Sequence, residues 1–182
     1  MKLNIGSNDM RFEDFLNLDH REIDEADIVD DAFTMKSFEP NSVEELIASH
    51  IIEHASFDRV PGILNRWKEI LQPGGILWVA VPNFELVYTD HLKNYQNGEI
   101  TWEFFNSRIF GNAKVAKKMY GEGTLKDFPG VLDYEIAYHK AVFNAEMLIK
   151  CVKDAGFSTV KQIDKLPNKR KHPHEICVKG IK

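Results

Sequence analysis

Arg59-Val60-Pro61-Gly62-Ile63-Leu64-Asn65-Arg66-Trp67-Lys68-Glu69-Ile70-Leu71, then Gln72-Pro73-Gly74-Gly75, then Ile76-Leu77-Trp78-Val79-Ala80-Val81, is the stretch that decides the fold class. Apolar side chains at Val60, Ile63, Leu64, Trp67, Ile70 and Leu71 recur at helical spacing, which predicts an amphipathic helix over 59–71. Proline cannot continue a helix and glycine accepts positive φ, so Pro73-Gly74-Gly75 ends it. The next six residues are all apolar, the mark of a central strand covered on both faces. Upstream, Val43-Glu44-Glu45-Leu46-Ile47-Ala48-Ser49 reads as another strand, entered through the polar turn Glu39-Pro40-Asn41-Ser42. Strand, helix, strand in this order predicts a parallel α/β sheet.

Toward the N-terminus, Lys2-Leu3-Asn4-Ile5 alternates in polarity and is stopped by the turn formers Gly6-Ser7-Asn8-Asp9. A second strand is predicted at Asp14-Phe15-Leu16-Asn17-Leu18-Asp19. Only about eight residues separate the two, fewer than the 10 to 12 that a helical crossover needs, so the first crossover should lack its helix. Ala26-Asp27-Ile28-Val29-Asp30-Asp31 reads as a third strand ending in two carboxylates. Toward the C-terminus, Asn144 should cap a helix over 145–155 ended by Gly156, and 157–163 and 175–181 should be the final strands. The basic loop Asn168-Lys169-Arg170-Lys171-His172-Pro173 joins them. The expected architecture is a Rossmann-like, mostly parallel sheet of about seven strands with an antiparallel last strand, in one domain spanning 1–182. Residues 84–140 form an aromatic-rich insertion, with Tyr88, Tyr95, Trp102, Phe104, Phe105 and Phe110 among its rings, read as two or three short helices making a lid. Within it Trp102, Phe105 and Ile109 have the spacing of a core-facing stripe.

The whole chain has 182 residues, 43% of them hydrophobic, enough for a core and too few for two catalytic domains. Its 23 basic and 28 acidic residues give a net charge of -5, unlike the basic excess of a nucleic-acid binder. The acidic surplus lies in residues 1–60, with 5 basic against 15 acidic side chains, and is read mainly as solvated surface. Cys151 and Cys177 have no metal-like or redox-like spacing, which fits buried thiols in a reducing compartment. No apolar run reaches the roughly 20 residues that span a bilayer, and Met1-Lys2-Leu3-Asn4 starts no signal peptide. A cytoplasmic protein is expected, with no nucleic-acid or membrane partner; a homodimer stays open.

In an open parallel sheet, ligands bind beyond the carboxyl ends of the strands, near the point where strand order reverses. That singles out Gly6-Ser7, Asp19, Asp30-Asp31, Ser49-His50 and Pro82-Asn83. Leu3-Asn4-Ile5-Gly6-Ser7, Phe15-Leu16-Asn17-Leu18-Asp19, Ala48-Ser49-His50-Ile51-Ile52-Glu53-His54 and Leu71-Gln72-Pro73-Gly74-Gly75-Ile76-Leu77, in this order, resemble the class I S-adenosylmethionine-dependent methyltransferases. The likeness is greatest to the short bacterial type associated with cell-surface saccharide genes. His139-Lys140-Ala141-Val142-Phe143, Leu148 and Ala155-Gly156-Phe157 are similar to that family's closing helix and strand. The resemblance spans most of the chain outside about 84–135. It implies S-adenosylmethionine as cofactor, S-adenosylhomocysteine as product, and a small-molecule or saccharide acceptor. By it, Gly6 and Ser7 would face the methionine end, Asp19 the ribose hydroxyls, Asp30 or Asp31 with Ala32 and Phe33 the adenine, and Ser49 and His50 the sulfonium. The first loop departs from the family, since a single glycine, Gly6, stands where a glycine-rich turn and helix are usual.

Methyl transfer to a hydroxyl needs positioning and a general base, for which His50, His54 and His139 are candidates, while Asn83 is placed to orient the acceptor. Two other functions compete. A fold-only binding module that has lost the cofactor loop would keep the same pattern. His50-Ile51-Ile52-Glu53-His54 also matches the H-x-x-E-H motif of inverted zinc proteases, in which histidines at i and i+4 hold zinc and the glutamate is the base. That chemistry needs the motif inside a helix, whereas here it follows a strand, so no metal site is expected. His172 and His174 read as solvated loop residues.

Overall fold

In the computed structural model, which describes residues 1–7, 10–110 and 138–182, seven strands form one sheet. They are β1 (Lys2–Ile5), β2 (Leu16–Asp19), β3 (Ile28–Val29), β4 (Val43–Ser49), β5 (Leu71–Pro82), β6 (Ser158–Ile163) and β7 (Glu175–Ile181). The order across the sheet is β3-β2-β1-β4-β5-β7-β6. The pairs from β3 to β5 are parallel, and β7 runs antiparallel to both β5 and β6. The expected architecture is therefore present, with the reversal of strand order between β1 and β4. Four α-helices lie among the described residues: α1 (Val60–Ile70), α2 (Phe84–Gln96), α3 (Trp102–Phe110) and α4 (Ala145–Asp154).

Strands β2 and β3 are shorter than their sequence patterns suggest. Asp14 takes a left-handed φ of 66°, so pairing with β1 begins only at Leu16, and the carboxylates of Asp30 and Asp31 fold back into a turn after β3. Strand β5 is longer than expected. Leu71 leaves α1 already extended and pairs with Val43, and the Pro73-Gly74-Gly75 turn is absorbed as an irregularity opposite Val43–Glu45.

The missing crossover helix extends further than predicted. Among the described residues, none of the three connections from β1 to β4 contains a helix. The segment after β3 packs in a helix's place, with Ala32, Met35 and Phe38 buried against α1. Its carbonyls would otherwise be buried without donors, and α1 supplies these. Arg66 donates to the carbonyls of Thr34, Met35 and Phe38, and the Trp67 indole donates to that of Ala32 at 2.7 Å.

The main core lies between one face of the sheet and helices α1 and α4, where Leu3, Ile5, Leu46, Leu77, Val79 and Val178 meet Leu64, Trp67, Leu148 and Val152. On the opposite face Phe12 and Leu166 cover Ile47, Ala80 and Cys177. There Asn4 and Asn17, paired across β1 and β2, are buried and bonded to each other at 3.0 Å. Burial raises the Cys177 thiol to about 11, so it stays protonated and inert.

The described part of the insertion is a helical pair, α2 and α3, with Val87, Phe105 and Ile109 as its own small core. Phe105 and Ile109 face inward as the spacing predicts. Trp102 does not: it is 50% exposed, stacked on Phe105 at the start of α3. The rest of the predicted lid, 111–137, lies outside the described residues.

Candidate functional site

The crevice at the switch in strand order is built from the carboxyl ends of β1, β2 and β4. Gly6 follows β1 with φ +63°, and a Cβ there would lie 2.5 Å from Cδ1 of Ile51, so only glycine lets the two turns close against each other. Ser7 is buried, and its hydroxyl has no hydrogen-bond partner among the described residues. Asp19 is also buried, at the end of β2, and Arg21 grips it: Nε and the backbone N–H donate to Oδ1 at 2.9 and 3.0 Å, and Nη2 donates to Oδ2 at 3.1 Å. Burial alone would raise this carboxyl, but the Arg21 hydrogen bonds and charge hold it below its ordinary range.

Asp30 and Asp31 are engaged within their own loop. Asp30 accepts from the backbone N–H and hydroxyl of Ser37, and Asp31 accepts from the Phe33 N–H. Phe33 rests against the main core with the Arg59 guanidinium 5.7 Å from its ring centre.

Beyond β4, His50 adopts a left-handed φ of 55°, which turns the chain sharply out of the strand. Its Nε2 donates to Glu175 Oε1 at 2.7 Å, and its Nδ1 lies 3.2 Å from Glu53 Oε1. Burial would lower this imidazole, but the bond to Glu175 and the neighbouring Glu53 carboxylate outweigh it and raise it to about 9. His50 is thus a cation at neutral pH, a donor and not a base. Lys169 completes the cluster, donating to Glu175 at 2.8 Å and to the Ser49 hydroxyl at 3.2 Å. Burial pushes Glu175 up, while the bonds from His50 and Lys169 bring it down to about 2.

Next to this crevice, past the ends of β4 and β5, lies a shallow cleft open to solvent, with an internal volume of only about 10 Å³, lined by Glu53, Phe84, Val87, Arg108, His139 and Phe143. Glu53 sits in a 3-10 turn (Ile52–His54) and is almost fully buried. Its backbone carbonyl receives the N–H groups of Lys140 and Ala141 at 2.8 and 3.0 Å, which ties the segment carrying His139 to β4. His139 donates through Nδ1 to the Ile109 carbonyl at 3.1 Å, and burial lowers its pKa, so Nε2 carries a lone pair at neutral pH. Asn83 is the N-cap of α2, its side-chain oxygen accepting from the Leu86 N–H at 3.4 Å. His174, expected in solvent, bonds to Asp90 at 2.8 Å.

The sequence motifs pointed to His50 and His139 but missed their partners. Arg21, Lys169 and Glu175 lie in segments that read as surface loop or strand edge, and only the fold brings residues 125 positions apart into a 2.7 Å bond. Glu53 was visible only through the H-x-x-E-H pattern. In the structure that motif spans a strand end and a 3-10 turn, and His50 turns toward Glu175 instead of sharing a helix face with His54.

No family model matches the chain, and no curated protein matches it. Solved structures do. The chain is similar to a SAM-dependent methyltransferase from Archaeoglobus fulgidus (14% identity, TM-score 0.58, 99% of this chain and 85% of that one). It is also similar to a SAM-dependent methyltransferase from Thermotoga maritima described as a possible histamine N-methyltransferase (14%, 0.59, 99% and 81%). A third is a SAM-dependent methyltransferase from Methanosarcina mazei (13%, 0.58, 99% and 91%). At these identities the likeness establishes the fold: this is the class I S-adenosylmethionine-dependent methyltransferase fold.

Proposed function

We propose that the protein is an S-adenosylmethionine-dependent methyltransferase acting on a small-molecule or glycan acceptor. The observation that carries this reading is the seven-stranded fold, which aligns over 99% of the chain with structures of such enzymes. The close approach at Gly6 and the unpartnered buried hydroxyl of Ser7 fit a cofactor lying over the end of β1. Asp19 sits where an acceptor-only carboxylate would receive the ribose hydroxyls, provided Arg21 gives up one of its oxygens. Ser49 and the His50 cation border the methionine end, with Asp30, Asp31, Ala32 and Phe33 on the adenine side.

The cofactor supplies an electrophilic methyl group on sulfur. The chain's part is to align an acceptor oxygen or nitrogen with that methyl and to take its proton. The cleft beside Glu53 is the acceptor site in this reading. His139 faces it with an unprotonated Nε2 that can accept the proton, and the Glu53 carboxylate favours the imidazolium so formed. The Asn83 amide would orient the acceptor from the start of α2.

Calorimetry and thermal unfolding with S-adenosylmethionine and S-adenosylhomocysteine test the reading. Ligand at 100 times its dissociation constant should stabilise the fold by about 2.7 kcal/mol. Asp19→Ala should abolish binding. No response to either nucleotide from folded protein would instead favour a second reading, a non-catalytic binding module on the same fold, which the grip of Arg21 on Asp19 supports.

A further inference from the structure

We propose that Glu53, His54 and His139 form a binding site for one divalent ion of the zinc class, facing the cleft past β5. A carboxylate oxygen and one nitrogen from each imidazole lie within 4.8 Å of one another. Two histidines and one carboxylate are a donor set that suits zinc and its first-row neighbours, and three protein ligands leave a coordination position open.

Three further features set this group apart from a chance cluster. First, both rings are held the same way round. His54 Nδ1 is bonded to the Tyr138 carbonyl at 3.2 Å and His139 Nδ1 to the Ile109 carbonyl at 3.1 Å. A carbonyl only accepts, so each Nδ1 carries a proton and Nε2 is the nitrogen that remains for an ion, the arrangement that orients metal-binding histidines. Second, the Glu53 side chain is 2% exposed, and neither oxygen makes a hydrogen bond among the described residues. Its charge is paired with the His50 imidazolium, whose Nδ1 lies 3.2 Å from Oε1, and the buried lone pairs that remain are ones an ion would satisfy. Third, hydrogen bonds tie the frame together. The Glu53 carbonyl holds the backbone of residues 140 and 141, so His139 is anchored from both sides, and the two rings pack edge to face at 5.3 Å.

This site is not the one the H-x-x-E-H pattern describes, because His139 takes the place of His50. The inference goes beyond methyl transfer and does not depend on it. If an acceptor oxygen occupies the open position, the ion lowers its pKa, and His139 is then a ligand and not the base.

The test is calorimetric titration of chelator-stripped protein with zinc, with cobalt absorption as a second probe. We expect one equivalent to bind, with affinity reduced at least about tenfold in His54→Ala and His139→Ala, each checked for folding by circular dichroism. His172→Gln/His174→Gln, which removes two of the three imidazoles clustered at the start of β7 among the described residues, should bind as the parent does. Absence of binding to the parent protein, or binding lost in the double variant and kept in His139→Ala, would overturn the site. Should the ligand variants not fold, X-ray absorption of the cobalt-loaded parent decides: two imidazole nitrogens support the site, and an all-oxygen shell overturns it.

Discussion

Arg21 and Asp19 form the most saturated ion pair of the crevice, both nearly excluded from solvent. Removing the guanidinium takes its donors from a buried carboxylate, and breaking a buried pair in this way typically costs 3 to 5 kcal/mol. Arg21→Ala should therefore destabilise the protein by about 3 kcal/mol, read from urea unfolding. Arg21→Lys should recover only part of this, since an ammonium cannot span both carboxylate oxygens as the guanidinium does. A change within about 0.5 kcal/mol for Arg21→Ala would mean that Asp19 is solvated in the native state. The same residue controls the nucleotide reading, because a ribose at Asp19 must compete with this grip.

Helices α2 and α4 both start on asparagine, and their caps differ in quality. The Asn144 side chain accepts from the Met147 N–H at 2.9 Å, whereas Asn83 reaches the Leu86 N–H at 3.4 Å. An N-cap is worth about 1 kcal/mol, and a long bond less. Asn144→Ala should cost about 1 kcal/mol in thermal or urea unfolding, and Asn83→Ala clearly less. If Asn83→Ala lowers methyl-transfer activity while leaving stability nearly unchanged, the acceptor-orienting role is supported; equal loss of stability in the two variants would leave Asn83 as a cap alone. The elements without helices show a related principle. The segment after β3 needs no helix because Arg66 and Trp67 of α1 supply the donors its buried carbonyls require.

At the scale of the whole molecule, Glu175 links the beginning of β7 to the end of β4 through His50 and to the basic loop through Lys169. Its carboxyl is depressed from 4.5 to about 2. A depressed acid contributes stability that is present above its unfolded pKa and lost as pH falls through its folded one. This contribution should be complete above about pH 4.5 and disappear between about 4.5 and 2. Urea unfolding of the parent and Glu175→Gln across that range checks it: the parent should lose its advantage over the variant as pH falls. A constant difference would show that Glu175 titrates normally.

Much of the molecule was legible in the sequence, for local reasons. The helical spacing of Val60, Ile63, Leu64 and Trp67, the unbroken apolar run at Ile76-Leu77-Trp78-Val79-Ala80-Val81 and the caps at Asn144 and Gly156 depend on neighbours a few residues away. They predicted α1, α4 and most of the sheet. The short link after β1 likewise excluded a helix by length alone. Strand ends were less legible, because the left-handed turn at Asp14 and the extension of β5 past Pro73 are decided by pairing with other strands. The chemistry of the candidate site was decided by tertiary structure. Whether His50 is a base or a cation depends on Glu175, far along the chain, and whether Glu53 and His54 face a partner depends on His139, which reaches them through backbone bonds to residue 53. Periodicity and turn chemistry are short-range and were carried by the sequence itself; pKa and ligand geometry are set by distances of a few ångströms that only the folded chain creates.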